Sequence, residues 1–385
     1  MKIRLIVDEN IGFLSSLLAG AAEVTAMPGR RITRSHVNGA DALIVRAVTP
    51  VNEPLLAGTP VRFVGTTTSG FDHVDVQWLN RAGIHFVYAP GSNANSVAEY
   101  VVAALLALAE RRLVDLDGRV LGVIGAGRVG TLVAGKARAL GLGVRLNDPP
   151  LHDITGDAAY RPLDEVLEQA DIVSLHVPLT TSGPYPTLRM VNESFFERMK
   201  PGTVFINTSR GAVVDEDALK RAIRDGRIAA AVLDVWEGEP TPDQDLVNLA
   251  ALATPHIAGY SYNGKINAVR QVGGALAGFF NLALNMGMLD EALPRLTLAW
   301  PVDATDHRQV LHLLVRQVYN IQADDTVFRT AMAAPSSSAR AEAFDALRKH
   351  YPRRYEFHTF TIQPPRAPST ETACAMTVLR ALGFQ

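Results

Sequence analysis

One stretch constrains this chain more than any other. Val120-Leu121-Gly122-Val123-Ile124 is a short apolar run, followed by Gly125-Ala126-Gly127-Arg128-Val129-Gly130 and a helix-compatible run to Gly141. Then comes Val144-Arg145-Leu146-Asn147-Asp148. The order is strand, glycine-rich turn, helix, strand, acid. In a dinucleotide fold the first glycine makes the tight turn and the second lets backbone approach a pyrophosphate. The third lets helix and strand pack closely, and the phosphates sit on the helix N-terminus. Gly125, Gly127 and Gly130 are therefore candidate cofactor residues. An acid about 20 residues on hydrogen-bonds the ribose, and Asp148 stands 18 residues past Gly130. A carboxylate there accepts from the 2′-hydroxyl of NAD and repels the 2′-phosphate of NADP. Pro149 and Pro150 place no arginine beside it, so NAD is the expected cofactor.

The chain has 385 residues, too many for one ordinary core, so two or three domains are expected. Apolar residues make up 48% and charged residues 20%, the mix of a globular protein. A formal net charge of −2 gives no general pull toward nucleic acid or anionic membrane. A single cysteine, Cys374, forbids an internal disulfide and suits a reducing cytoplasm; it reads as a small buried residue of a late helix. The start of the chain meets an acid at Asp8 and reads as a strand rather than a signal peptide. The apolar runs Val97 to Ala109 and Val272 to Leu289 are too short or too interrupted to span a membrane.

The first 95 or so residues alternate strand and helix without a second fingerprint. Ile3 to Val7, Ala42 to Arg46 and Val61 to Gly65 are the predicted strands. Arg46 and Ala47 follow one of them, at the edge where ligands of open sheets bind. Thr68-Ser69-Gly70 follows another and offers closely spaced N–H groups to an anion, though a hydroxyl-capped turn is the plain alternative. His73 between Asp72 and Asp75 fits a helix start better than a metal site, and no metal is expected. Asn95-Ser96 reads as the cap of a buried helix running to Glu110-Arg111-Arg112.

Past Asp148 the strand-and-helix alternation continues. Predicted strands end at His176-Val177, at Asn207-Thr208-Ser209-Arg210, at Asp234 and near His256. Arg210, Glu239 and His256 thus follow consecutive strand ends. Oxidising an alcohol carbon requires a base for the hydroxyl proton, and neutral histidine suits that near pH 7. A carboxylate on its other nitrogen fixes the tautomer and stabilises the imidazolium. Arginine grips a carboxylate through two parallel hydrogen bonds. Each residue alone has a bland reading as salt-bridge partner, loop residue or core histidine; together, behind a fingerprint, they read as a catalytic set.

Those segments resemble the D-isomer-specific 2-hydroxyacid dehydrogenases. The resemblance rests on Asn207-Thr208-Ser209-Arg210-Gly211, Glu237-Gly238-Glu239-Pro240 and Thr254-Pro255-His256-Ile257, and it covers about residues 1 to 285. It implies two doubly wound, Rossmann-like parallel-sheet domains with a catalytic cleft between them. It further implies that Asp234 holds the nicotinamide carboxamide and that Thr68-Ser69-Gly70 binds the substrate carboxylate. A narrower resemblance is carried by Val7-Asp8-Glu9-Asn10, Asp148-Pro149-Pro150, Gly183-Pro184-Tyr185-Pro186-Thr187, His256-Ile257-Ala258-Gly259-Tyr260-Ser261 and the extra C-terminal segment. It points to the branch of that family that oxidises 4-phospho-D-erythronate to the 2-oxo acid in pyridoxal phosphate biosynthesis. This implies substrate contacts from Thr68 and Tyr260, and NAD contacts near Arg128-Val129, Val177, Thr208-Ser209 and Gly259. Ala47 stands where the branch usually has a substrate-binding serine, and Arg189 where it has a histidine. Gly264-Lys265-Ile266-Asn267-Ala268 lacks the usual glycine-threonine after the lysine. A phosphorylated substrate needs cations beyond Arg210, and Arg46 and Lys265 are candidates.

The resulting division is a substrate-binding domain over 1–95, completed by 259–285, an NAD-binding domain over 96–258, and a small α+β domain over 286–385. Within the last, Leu296 to Trp300 and Tyr355 to Ile362 read as strands; Asp303 to Tyr319, Ser336 to Arg348 and Glu371 to Leu382 read as helices. It carries no catalytic motif; the resemblance makes it a homodimerisation domain, while the sequence alone suits a regulator-binding unit equally, and Arg353 and Arg354 read as solvated. Two alternatives remain: a dehydrogenase for another hydroxy acid such as 3-phosphoglycerate, and a non-catalytic NAD-sensing binding protein like some corepressors.

Overall fold

Parallel strands need a crossover, and the apolar runs here are separated by segments long enough to supply one. The computed structural model describes residues 2–301, 304 and 306–385. Among them, five strands form one parallel sheet: β1 (Ile3–Asp8), β2 (Ala22–Met27), β3 (Ala42–Val45), β4 (Phe63–Thr66) and β5 (His85–Val87), in the order β2-β1-β3-β4-β5. Six form a second parallel sheet: β6 (Val120–Ile124), β7 (Gly143–Asn147), β8 (Ile172–Leu175), β9 (Thr203–Asn207), β10 (Ile228–Leu233) and β11 (Leu252–Ala253), in the order β11-β10-β9-β8-β6-β7. β12 (Leu296–Ala299) and β13 (Phe360–Gln363) make a third, two-stranded parallel sheet. The fold is therefore α/β, two doubly wound sheets with a small C-terminal α+β part.

The chain divides into two compact units, Met1–Asn93 with Ser261–Pro294, and Ala94–Tyr260 with Arg295–Gln385. In the first, strand order reverses between β1 and β3, which puts the ligand crevice of that sheet at their carboxyl ends. The helix Tyr262–Phe280 returns to cover this sheet. A Cβ on Gly65 of β4 would lie 2.7 Å from Val272 Cγ1, so glycine there is what lets the helix approach. In the second unit the reversal falls between β6 and β8, directly after the glycine turn. Five of the six strands bury at least half their residues, as expected for a sheet covered on both faces.

The helix Ala94–Glu110 runs through the core of the second unit. It starts earlier than Asn95-Ser96 suggests, and neither residue caps it. Ser96 Oγ instead donates to the Ala258 carbonyl at 2.9 Å, and Asn95 Nδ2 donates to Glu99 Oε1 at 2.8 Å. The C-terminal residues Val310, Leu311, Leu314, Phe357 and Leu379 are buried in the same apolar cluster as this helix. Each such side chain contributes about 1.5–3 kcal/mol by leaving water, so the C-terminal part and the nucleotide sheet share one core.

Other expectations shift for identifiable reasons. The alternating run Tyr355 to Ile362 is extended only from Phe360; Phe357–Thr359 is a 3-10 turn, because the Phe357 N–H is taken by Glu99 Oε1 at 2.9 Å. Cys374 is exposed, since the helix Thr370–Leu382 buries Thr372, Ala375, Leu379 and Leu382 on its other side. The expected helix start at Asp303 lies outside the described residues; the helix is seen as His307–Val318, capped by Asp306. Among the described residues no helix is long and apolar enough to cross a membrane.

Candidate active site

The nucleotide turn is built by three glycines with three different duties. Gly125 adopts φ +89°, and a Cβ on it would lie 2.7 Å from the His176 carbonyl oxygen. A Cβ on Gly130 would collide with the Gly125 carbonyl. A Cβ on Gly127 would meet no protein atom within 4 Å, so its missing side chain leaves open space at the N-terminus of the helix Arg128–Ala139. Open space before a helix N-terminus is what a pyrophosphate requires. Asp148 ties the end of β7 to this turn: Oδ2 accepts from Ala126 N at 2.8 Å and Oδ1 from Leu151 N at 3.0 Å. A carboxylate has about four acceptor sites, so these bonds leave others for a ribose. Arg128 is exposed and Val129 half-buried at the helix start. Val177 lies against Gly125, and Thr208 Oγ1 is 3.4 Å from His176 Nδ1. Burial holds the His176 imidazole at about 3, hence neutral. Buried Ser209 donates its hydroxyl to Asn207 Oδ1 at 2.9 Å.

Gly211 fixes the next piece. Any side chain there would collide with the Trp236 backbone, so the loops after β9 and β10 touch. That contact sets Arg210 beside the loop carrying Glu239. Asn207 Nδ2 donates to the Arg210 carbonyl at 3.0 Å, and Arg210 Nη1 donates to the Ser209 carbonyl at 2.7 Å. Trp236 N donates to Glu239 Oε1 at 3.1 Å, while Glu239 Oε2 lies 2.8 Å from His256 Nδ1. An ionised carboxylate can only accept, so Nδ1 carries the hydrogen and Nε2 is left with a lone pair. Burial pushes the Glu239 carboxyl up. The charge and hydrogen bond of His256, then Arg348 and the Trp236 N–H, outweigh burial and hold it below the ordinary carboxylate value.

His256 itself sits at φ +58°, a left-handed conformation that costs a non-glycine residue about 1–3 kcal/mol unless its surroundings fix it. They do. His256 N donates to the Asp234 carbonyl at 2.7 Å. The Asp234 side chain, 1% exposed, accepts from Ile257 N and Ala258 N, both at 2.8 Å, and from Thr254 Oγ1 at 2.7 Å. Tyr100 OH meets Thr254 Oγ1 at 2.7 Å, and Trp236 Nε1 donates to the Thr254 carbonyl at 3.0 Å. Asp234 thus acts as the anchor of the histidine loop. Gly259 and Tyr260 end that loop, both half-buried.

The remaining candidates lie in the first unit. Arg46, half-buried, and Ala47, exposed, directly follow β3 at the reversal point of that sheet. Thr68, Ser69 and Gly70 form a braced turn after β4. Thr68 Oγ1 lies 2.7 Å from Thr66 Oγ1 and donates to the Gly70 carbonyl at 2.6 Å, and Ser69 Oγ donates to Asn93 Oδ1 at 2.6 Å. Lys265 is exposed on the first turn of the helix Tyr262–Phe280.

Residues 95–258 match the family described as D-isomer specific 2-hydroxyacid dehydrogenase, NAD binding domain, and residues 291–383 match a domain of unknown function (DUF3410). The curated erythronate-4-phosphate dehydrogenases of Shigella boydii serotype 4 (strain Sb227) and Escherichia coli O9:H4 (strain HS) are each 41% identical over 387 residues, covering 99% of this chain and 98% of theirs. The chain belongs to the erythronate-4-phosphate dehydrogenase family, within the D-isomer-specific 2-hydroxyacid dehydrogenases. Among solved structures, the D-lactate dehydrogenase of Aquifex aeolicus, complexed with NAD and lactic acid, matches with a TM-score of 0.62 at 27% identity, covering 75% of this chain and 97% of that one. As a member of the erythronate-4-phosphate dehydrogenase family, the protein is an NAD-dependent dehydrogenase.

Two arginines of this neighbourhood depart from the sequence expectation: Arg354, expected in solvent, is buried, and Arg348 was given no role at the site. Arg354 is only 6% exposed and donates to the Ala258 carbonyl at 2.6 Å. The guanidinium of Arg348 lies 5.5 Å from the centre of the Tyr260 ring. Both sit in a segment without a catalytic motif, more than 90 residues past His256.

Proposed function

We propose that this enzyme oxidises 4-phospho-D-erythronate at C2 to (R)-3-hydroxy-2-oxo-4-phosphooxybutanoate, as a step of pyridoxal 5′-phosphate biosynthesis in the cytoplasm. The observation that carries the chemistry is the 2.8 Å contact between His256 Nδ1 and Glu239 Oε2, on the same unit as the glycine cradle. Full-length similarity to enzymes named for that substrate supports its identity.

NAD, when bound, supplies the hydride acceptor; Gly125, Gly127, Gly130, Asp148, Thr208 and Ser209 would hold it. His256 Nε2 takes the C2 hydroxyl proton as the C2–H bond breaks and the carbonyl forms. Glu239 keeps Nδ1 protonated and stabilises the imidazolium. Arg210 grips the substrate carboxylate, polarising the neighbouring oxygen. In the first unit, the N–H groups of Ser69 and Gly70 suit a carboxylate, Thr68 suits a substrate hydroxyl, and the cations Arg46 and Lys265 suit a phosphate. Tyr260 contacts substrate, and Ala47 contributes its backbone in place of a hydroxyl. Residues 286–385 form the homodimer contact.

The test is turnover of 4-phospho-D-erythronate, 3-phosphoglycerate, D-erythronate and D-lactate with NAD, read by NADH absorbance. Preference for the first supports the proposal. Preference for 3-phosphoglycerate, or NAD binding with no turnover of any acid, overturns it. Sedimentation at equilibrium checks the dimer.

A further inference from the structure

The segment that carries His256 is held from two sides. Asp234 holds one. The C-terminal part holds the other, largely through backbone or apolar contacts. Arg329 donates to the carbonyls of Val247 and Ala250, at 2.5 and 2.7 Å, and Asp325 accepts from Ala253 N at 2.8 Å. Arg354 donates to Ala258 and Ser96, and its guanidinium lies 4.2 Å from the centre of the Tyr319 ring. Phe328 packs 5.6 Å from Trp236, ring to ring.

One contact differs in kind. Arg348, on the helix Ser337–Lys349, brings a charge rather than a backbone grip. It lies over the Tyr260 ring and 5.8 Å from the Phe344 ring, and its Nε is buried with no hydrogen-bond partner. Tyr260 is caught from another direction by Tyr351, edge-on at 6.0 Å. Burial works against the Arg348 charge, while Tyr260, Glu239 and Asp234 favour it; His256 and Arg348 in turn favour the ionised form of Glu239 against its burial.

We infer that Arg348 is a positioning residue for the dehydrogenase reaction, holding the Tyr260 ring and keeping a positive charge beside the carboxylate that orients His256. The inference rests on the function proposed above. The physical need is specific to one moment of the cycle. Before it takes the proton, the base carries no charge to offer Glu239, and a half-buried carboxylate without a cationic partner protonates more readily. Arg348 fills that interval. A planar guanidinium also stacks on an aromatic face in a way an ammonium does not.

The experiment uses the full-length enzyme with 4-phospho-D-erythronate, comparing Arg348→Met and Arg348→Lys with the unaltered protein. Arg348→Met should lower kcat about tenfold or more with KM changed less than about threefold, because the loss falls on the reacting state. Losing the cation lets the Glu239 carboxyl protonate at higher pH, so the acidic limb of the kcat/KM profile should move up by about half a unit or more. Arg348→Lys restores the charge and should return the limb to its place with kcat only partly recovered; it decides the matter if the methionine variant does not fold. An unmoved limb with unchanged kcat in the methionine variant would overturn the role. So would a rise in KM confined to phosphorylated acids with the limb in place, which would make Arg348 a substrate ligand. If the unaltered enzyme turns over no hydroxy acid while binding NAD, the proposed function itself fails, and this role with it.

Discussion

The two parallel sheets are built alike and equipped differently. Each has a reversal of strand order, and so each offers a crevice. In the first unit the turn after β1 is Asp8-Glu9-Asn10, where fully buried Asp8 accepts from Asn10 N at 2.9 Å and from Asn10 Nδ2 at 3.1 Å. In the second, the equivalent turn after β6 is Gly125-Ala126-Gly127, and the space before Gly127 is open. Topology makes the crevice; three or four residues at the turn decide whether a dinucleotide can enter. The first unit carries its hydroxyl-braced turn elsewhere, after β4. Function here lives in strand-end residues rather than in the fold.

The sharpest way to break that contrast is to remove the base. His256→Ala should lower kcat about 10²–10⁴-fold and leave NAD affinity, by fluorescence titration, within a few-fold. Equal loss of both would mean that the histidine loop belongs to the cofactor site. Next comes cofactor choice. Asp148→Ala should cut the preference for NAD over NADP about tenfold or more in kcat/KM; an unchanged ratio would show that another group reads the ribose. It should also weaken the turn, since Ala126 N and Leu151 N lose their acceptor.

A third prediction concerns the seam within the second unit. Burial, and then the Glu356 charge, push the Glu99 carboxyl up to about 8. Folding therefore favours its protonated form. That contribution is complete below the ordinary value of 4.5 and is lost as pH rises through about 8. Glu99→Gln keeps an acceptor for Phe357 N and Asn95 Nδ2 and removes the titration. Between about pH 6 and pH 9 the unaltered protein should lose about 1–3 kcal/mol more than the variant, measured as the gap between their melting temperatures. A constant gap would show that Glu99 does not change its protonation across this range. The smallest effect belongs to the first unit: Thr68→Ala should raise KM about three- to tenfold, the worth of one hydrogen bond, with kcat nearly unchanged.

Legibility in the sequence followed the range of the forces involved. The glycine turn, β6 and the acid at Asp148 were plain, because their spacing is fixed by chain geometry over some 30 residues. Arg210, Glu239 and His256 could be named from strand ends, but the contact of Glu239 with His256 could not, nor the touching of the loops after β9 and β10 that Gly211 allows. β2 and β5 were missed because edge strands need not be apolar on both faces; Ala22–Met27 is largely exposed or half-buried. Arg354 was read as solvated because a buried arginine is rare unless paired. Its partners, Ser96 and Ala258, are 258 and 96 residues away. No local pattern carries such a contact, and the same holds for Arg348.

The shared core of the helix Ala94–Glu110 and the C-terminal residues has an engineering consequence. Ending the protein before Arg295 would not yield a minimal hydride-transfer module resembling its shorter lactate-oxidising cousin. It would uncover the apolar face that Leu311, Leu314 and Leu379 now cover, and strip Ala250, Ala253 and Ala258 of their outside tethers. The C-terminal part is thus a structural member of the unit that carries His256, and no cut before it leaves that unit's core closed.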